Sequence, residues 1–364
     1  MRLFIIAFLF LSMQNVTAGS KHNHLANSVS NDTIHFPGEV HFKNVRQLTF
    51  GGDNAEAYFS SDGKYLIYQK TNKNEGINCD QIWMGKIPEN ENETFNPKLV
   101  SNAKGRTTCA YVYPDGKHIL YASTFLGGEE CPPLPDRSKY GNKYIWPIYE
   151  SFDIFNADID GKNIVRLTST VGYDAEATIS PKGDKIVFTS MRDSDLDLYT
   201  MDLNGKNVKR ITRTLGYDGG AWFSRDGKKI IWRASRPKTS EEIEEYKSLL
   251  KDGLVAPTHM EVWIANSDGT NAKQITNLEQ ANWAPNFTPQ GKIIFCSNHE
   301  YKRGFPFNMY LINEDGTGIE KISRDKGFDA FPMFSQDGKK IVFCSNRNNG
   351  GTRDTNIFIA DWVE

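Results

Sequence analysis

Long apolar runs are scarce in this chain. The one near the N-terminus, Leu3–Met13, is too short to span a bilayer. No later segment is apolar enough to do so, which excludes an integral membrane protein built from helices. Net charge is also nearly absent: 43 Lys and Arg against 45 Asp and Glu leave −2, so the chain has no electrostatic footprint for nucleic acid. Five cysteines are too few for a disulfide-built fold, and their odd number leaves at least one unpaired within the chain. A Gly-x-Ser-x-Gly elbow, histidines at zinc spacing and a compact Ca²⁺ loop are all missing. At 38% hydrophobic residues the chain suits many small packed interfaces better than one large core.

What is present begins with an export signal. Arg2 supplies the positive end, Leu3–Met13 the apolar stretch and Val16-Thr17-Ala18 a small-residue cleavage site. This predicts a signal peptide over residues 1–18 and a periplasmic or secreted protein. A polar, flexible lead-in is expected over residues 19–39 and one domain over 40–364. Cys296 and Cys344 stand at the same place in two similar segments, Ile293-Ile294-Phe295-Cys296 and Ile341-Val342-Phe343-Cys344, and read as small buried hydrophobes. Cys79, Cys109 and Cys131 allow one disulfide among them, of unassigned pairing.

Internal repetition is the strongest feature. A turn of four residues recurs six times, starting at Ser60, Tyr113, Ser180, Ser224, Thr288 and Ser335 and ending in glycine. A short β-branched and aromatic run follows each turn, such as Ile186-Val187-Phe188, and then a third strand such as Leu198-Tyr199-Thr200. Asp160-Gly161, Asn204-Gly205, Asp268-Gly269 and Asp315-Gly316 mark a second hairpin, and fourth strands end in Leu-Thr or a relative. Four antiparallel strands repeated six times predict an all-β, six-bladed propeller. The last unit stops after its third strand, while Arg46-Gln47-Leu48-Thr49 is a fourth-strand sequence with no blade before it. The N-terminal strand should therefore complete the last blade and close the ring.

The repeat, as in Phe334-Ser335-Gln336-Asp337-Gly338-Lys339-Lys340-Ile341-Val342-Phe343, resembles the WD40-like (PD40) repeat of TolB-like propellers. It is similar also to the propellers of prolyl-oligopeptidase-type and tricorn-like proteases. The resemblance implies the fold over roughly residues 40–364 and leaves function to the site. No separate α/β domain is read ahead of the first repeat, which departs from TolB.

Propeller topology sorts the loops by face. Second-to-third-strand connections and blade-to-blade connections emerge together, and both long insertions, Gly127–Ser151 and Arg236–His259, are of the first kind. The first holds Tyr144-Ile145-Trp146-Pro147, and the second predicts a short charged helix over Glu241–Leu250. Six residues before each turn stand Asn54, Thr107, Asp174, Asp218, Asn282 and Asp329; four before it stand Glu56, Cys109, Glu176, Gly220, Ala284 and Phe331. These form a candidate polar ring and an inner layer at the channel mouth. Arg192, Arg233, Arg236 and Arg347 fall at the same rim, with Trp146 and His299 nearby. Ring residues of these types also cap neighbouring loops, and the arginines also pair with neighbouring aspartates.

The preferred reading is a non-catalytic, monomeric binding propeller. It would recognise a protein, peptide or glycan at Asn54, Glu56, Asp174, Glu176, Asp218, Asn282, Asp329, Arg192, Arg233, Arg347, Trp146 and His299. No cofactor is expected; Ca²⁺ on the clustered carboxylates is a lesser reading. The alternative is a carbohydrate lyase or hydrolase using Glu56 and Glu176 as acid and base. Channel carboxylates already paired with Arg or Lys would weigh against it.

Overall fold

The computed structural model describes residues 34–364, apart from Glu91 and Arg303. The predicted signal peptide and the lead-in up to Thr33 lie outside the described residues.

Six four-stranded antiparallel sheets follow one another along the chain. Their inner strands are Asp53–Phe59, Thr107–Val112, Asp174–Ile179, Asp218–Phe223, Asn282–Phe287 and Asp329–Phe334, one for each of blades 1 to 6. The expected second-strand runs are the buried centre of each blade: Ile186, Val187 and Phe188 are fully inaccessible, as are Ile293, Ile294 and Phe295. Neighbouring blades share cores. Tyr58, Ile67 and Ile82 of blade 1 pack on Ala110, Ile119 and Tyr121 of blade 2, so each blade is stabilised by apolar burial against the next.

Ring closure is as the repeat pattern predicts. Phe42–Gln47 pairs antiparallel with Asn356–Trp362 and supplies the outer strand of blade 6. The lead-in is packed from Ile34 onward. Glu39 is buried, ion-paired with Arg347, and accepts from the Arg324 backbone N–H at 2.9 Å.

The complete outer strands of blades 1 to 5 are only two residues long, for example Val165–Arg166 and Lys209–Arg210. A side chain explains why they stop. In every blade the hydroxyl that follows the outer strand takes a third-strand N–H: Ser101 from Ile82, Thr168 from Ile154, Thr212 from Leu198, Thr276 from Val262, Ser323 from Met309 and Thr49 from Ile357. The Leu-Thr signature therefore replaces a ladder carbonyl with a hydroxyl. Five of these hydroxyls also donate to the polar residue just before that N–H on the third strand, Gln81, Asp153, Asp197, Glu261 or Asn356.

The two inserts meet. Trp146–Pro147 forms a two-stranded ribbon with Leu254–Val255 over the face where both emerge. The helix runs Ser240–Lys251 and opens on a capping box between Thr239 and Glu242. Ile145, Leu249 and Leu254 make a small core of their own, and Tyr140 donates to Asp252 at 2.6 Å. Cys131 is bonded to Cys79 on the third strand of blade 1, which ties the first insert down; Cys109, Cys296 and Cys344 are free.

Candidate functional site

All six inner strands carry a bulge at the same place, where the register against the second strand shifts. The bulged residues are Glu56, Cys109, Glu176, Gly220, Ala284 and Phe331, each with φ between 47° and 61°. A non-glycine residue is strained there by about 1 kcal/mol. The layer read from the sequence as four before the turn is thus a ring of left-handed bulges around the axis. It lines a cavity of about 40 Å³, room for roughly three water molecules. Tyr58, Trp222, Ala177, Thr178 and Arg233 complete the lining.

Side chains approach the cavity from two sides. Below it, Trp222 stands edge-on to Tyr58 and Tyr111, with ring centroids 4.7 and 5.4 Å away. Further out, Arg225 of blade 4 donates to the backbone carbonyls of Ser335 and Gln336 in blade 6 at 2.9 and 2.7 Å. Above it, Trp146 descends from the first insert to 5.5 Å from the Arg233 guanidinium and 5.3 Å from Trp283.

Glu176 and Arg233 form the buried centre, joined at 2.5 Å. Glu176 also accepts from the Tyr217 hydroxyl at 2.6 Å, the Thr189 hydroxyl at 2.8 Å and the Gly220 N–H at 2.9 Å. Its lone pairs are spent, so the carboxylate is solvated from within the protein. Two glycines make room for the pair. A Cβ on Gly219 would lie 2.3 Å from Glu176 Oε2, and one on Gly220 would lie 1.9 Å from Arg233 Nη1. Glu56, across the cavity, receives among the described residues only the Tyr58 hydroxyl at 3.4 Å and the neighbouring Cys109 thiol. Burial pushes its carboxyl up to about 7, with Glu176 adding to the effect. Burial likewise raises the Cys109 thiol well above its ordinary range, leaving it protonated.

The polar ring is placed one layer further out and is built into the blades. Asp174 is held by Arg192 at 2.9 Å, and Asp329 by Arg347 through both oxygens at 2.9 Å. Asp218 takes the Trp232 indole N–H and Arg236, both at 2.6 Å, and burial still pushes it up to about 7. Asn282 accepts from Ser297 at 2.6 Å, while Asn54 donates to the backbone of Thr355 and to Asn356. His299 sits against the Tyr310 ring with Nδ1 on Ser297, in the loop of blade 5. Of the residues singled out in sequence, the structure brings Glu56, Glu176, Arg233 and Trp146 together. Arg192, Arg347 and His299 belong to separate blades' own networks. Sequence reasoning missed Tyr217 and the floor residues Tyr58, Tyr111 and Trp222. The last three stand two before the turn, a column the repeat alignment makes available.

Among the described residues no group of three or more His, Cys, Asp or Glu side chains is arranged to hold a metal ion. No described helix is long and apolar enough to cross a membrane.

A family model described as the TolB beta propeller domain matches residues 148–250. No curated protein matches the chain in sequence. Among solved structures, a TolB from Agrobacterium tumefaciens is 19% identical, with 86% of this chain and 91% of that one covered and a TM-score of 0.54. A TolB from Acinetobacter baumannii is 17% identical at a TM-score of 0.54; 83% of this chain is covered but only 64% of the other, less than two thirds of its length. An oligogalacturonate lyase from Vibrio parahaemolyticus is 13% identical, with 86% and 79% covered and a TM-score of 0.53. These likenesses are of fold.

Proposed function

Because this chain is a six-bladed propeller of the TolB-like, PD40-repeat type, we propose that it is an exported, monomeric, non-catalytic binding module that recognises a protein partner through its insert-bearing face. The observation that carries this reading is where apolar surface is left uncovered. Of the eight large hydrophobic residues more than half exposed among those described, six lie on this face: Phe50, Leu126, Leu134, Tyr144, Val171 and Phe305. Grouped exposure of this kind marks an interaction surface, and rigid aromatics at its centre bury area at little entropic cost. Tyr144 stacks on Trp283, Trp283 stacks on Phe307, and Phe305 stands edge-on to Phe307 and Phe328. Tyr144 and Phe305 therefore rest on a braced row that reaches from blade 2's insert to blade 6. The Cys79–Cys131 bond supports export, since such bonds persist in oxidising compartments.

Two features favour binding over carbohydrate chemistry in the channel. A cavity of about 40 Å³ does not admit a sugar ring, and Glu176 is already paired with Arg233. The test is to select a displayed peptide library on residues 19–364 and to assay oligogalacturonate in parallel. Selected peptides are expected to bind at least tenfold more weakly to a Tyr144→Ala, Phe305→Ala double variant whose melting temperature is unchanged. Release of ultraviolet-absorbing unsaturated product from oligogalacturonate would overturn the reading.

A further inference from the structure

The charges around the cavity do not balance. Glu176 and Arg233 cancel, and the Tyr217 hydroxyl shares the same Arg233 nitrogen at 2.8 Å. Trp146 and Tyr217 cover the guanidinium with their rings, 5.5 and 5.2 Å away. Among the described residues Glu56 remains as one carboxylate with no cation of its own, facing the cavity opposite that pair. The rest of the wall is aromatic or small: Tyr58 and Trp222 as floor, Phe331 at the side, with Ala284, Ala177 and the Cys109 thiol. We infer that this chamber is a binding site for a primary ammonium group, held by the Glu56 carboxylate over the rings of Tyr58, Trp222 and Phe331.

Size, charge and wall chemistry point the same way. The volume suits two or three non-hydrogen atoms, which excludes sugars and nucleotides. The residual charge is negative, which disfavours an anion. A divalent cation asks for six or more oxygen ligands, and the lining offers one free carboxylate. Aromatic faces and one carboxylate are the surroundings that stabilise an organic cation. Burial pushes the Glu56 carboxyl up to about 7, so bound ammonium competes with a proton there. The other titratable groups facing Glu56 are Cys109, Glu176, Arg233, Asp80, the hydrogen-bonded Tyr58 and the Cys344 thiol of blade 6. Such an ammonium is either a free small amine or the tip of a lysine side chain entering from the mouth. The site itself does not rest on the protein partner proposed above.

The test uses residues 19–364, titrated at pH 8 with methylammonium and separately with Nα-acetyl-lysine amide, followed by tryptophan fluorescence and calorimetry. Saturable methylammonium binding is expected, weakened about tenfold or more by Glu56→Gln and about fivefold by Phe331→Leu, which removes a ring but keeps bulk. Binding is also expected to fall about tenfold or more at pH 5, where Glu56 holds a proton. The Tyr144→Ala, Phe305→Ala variant should bind methylammonium as the parent does, which separates this site from the protein-binding face. A response to the lysine derivative as well assigns the lysine-tip source; a response to methylammonium alone assigns a free amine. Binding that survives in a folded Glu56→Gln variant overturns the inference. So does a response to acetate, potassium or calcium with none to methylammonium.

Discussion

At the level of single residues, the cavity separates two carboxylates that the repeat makes equivalent. Glu176 sits where blade 4 offers Gly219 and Gly220 in place of side chains, so Arg233 and Tyr217 reach it. Glu56 has Cys109 as its corresponding neighbour and no cation among the described residues. The position of both glutamates was legible from their offset to the turn. Their different fates were not, because they depend on the left-handed bulges and on which neighbour is glycine. The difference sets a pH dependence. Burial raises the Glu56 carboxyl from 4.5 to about 7, so between these values the folded chain binds a proton that the unfolded chain releases. Stability from this group is therefore present below about pH 4.5 and lost as pH rises toward 7; Asp218, also raised to about 7, acts in the same direction. Glu56→Gln should erase its share, widening the stability gap in favour of the variant by roughly 2–3 kcal/mol between pH 4 and pH 8. Urea unfolding at the two pH values measures it, and parallel profiles would refute the assignment. By contrast, Glu176→Ala strands a buried guanidinium and should cost about 3–5 kcal/mol at neutral pH.

At the level of elements, inner, second and third strands were readable because each carries β-branched or aromatic residues between turn signals. Outer strands were readable only by their ends, since the Ser or Thr hydroxyl that stops them belongs to the third strand's hydrogen bonding. The inserts were placed on the right face by topology, and the helix was found to within a residue at each end. Their pairing with each other was not foreseeable, because two-residue strands such as Trp146–Pro147 and Leu254–Val255 have no periodicity to detect. The small core of Ile145, Leu249 and Leu254 is separate from the blade cores, so the pair should yield before the propeller does. Reducing the Cys79–Cys131 bond frees one end of the first insert. Hydrogen exchange should then speed up in residues 128–150 and 240–255 while the blade strands keep their protection. Thr239→Ala, which breaks the capping box, should raise exchange in the helix by an amount equivalent to about 1 kcal/mol and leave the blades unchanged.

At the level of the whole molecule, a propeller keeps its edges short and protected, and here its last blade is completed by its first strand. The closing contacts are varied. Phe42 stacks on Phe343 at 5.3 Å and His41 on Trp362 at 4.8 Å. Glu39 and Asp329 both reach Arg347, all three fully buried side chains or nearly so. Strand pairing at the closure was legible from an orphan fourth-strand sequence. The Glu39 anchor was not, because it falls in a polar segment without periodicity. Since each blade's core is shared with its neighbour, loss of closure exposes blade 6 first and then removes one wall of the core it shares with blade 1, where Val342 and Ile357 pack on Ala57 and Leu66. A chain beginning at residue 48 should therefore melt well below one beginning at residue 34, with blade 6 and blade 1 losing exchange protection before blade 3. Adding the peptide of residues 34–47 should restore protection to blade 6 in a concentration-dependent way, as a ligand of the folded state does. A Glu39→Gln peptide should do so more weakly, because Arg347 would keep Asp329 but lose its second carboxylate. Equal melting of the two chains would mean that the ring is held by its blade interfaces alone and that the terminal strand is ornamental to it.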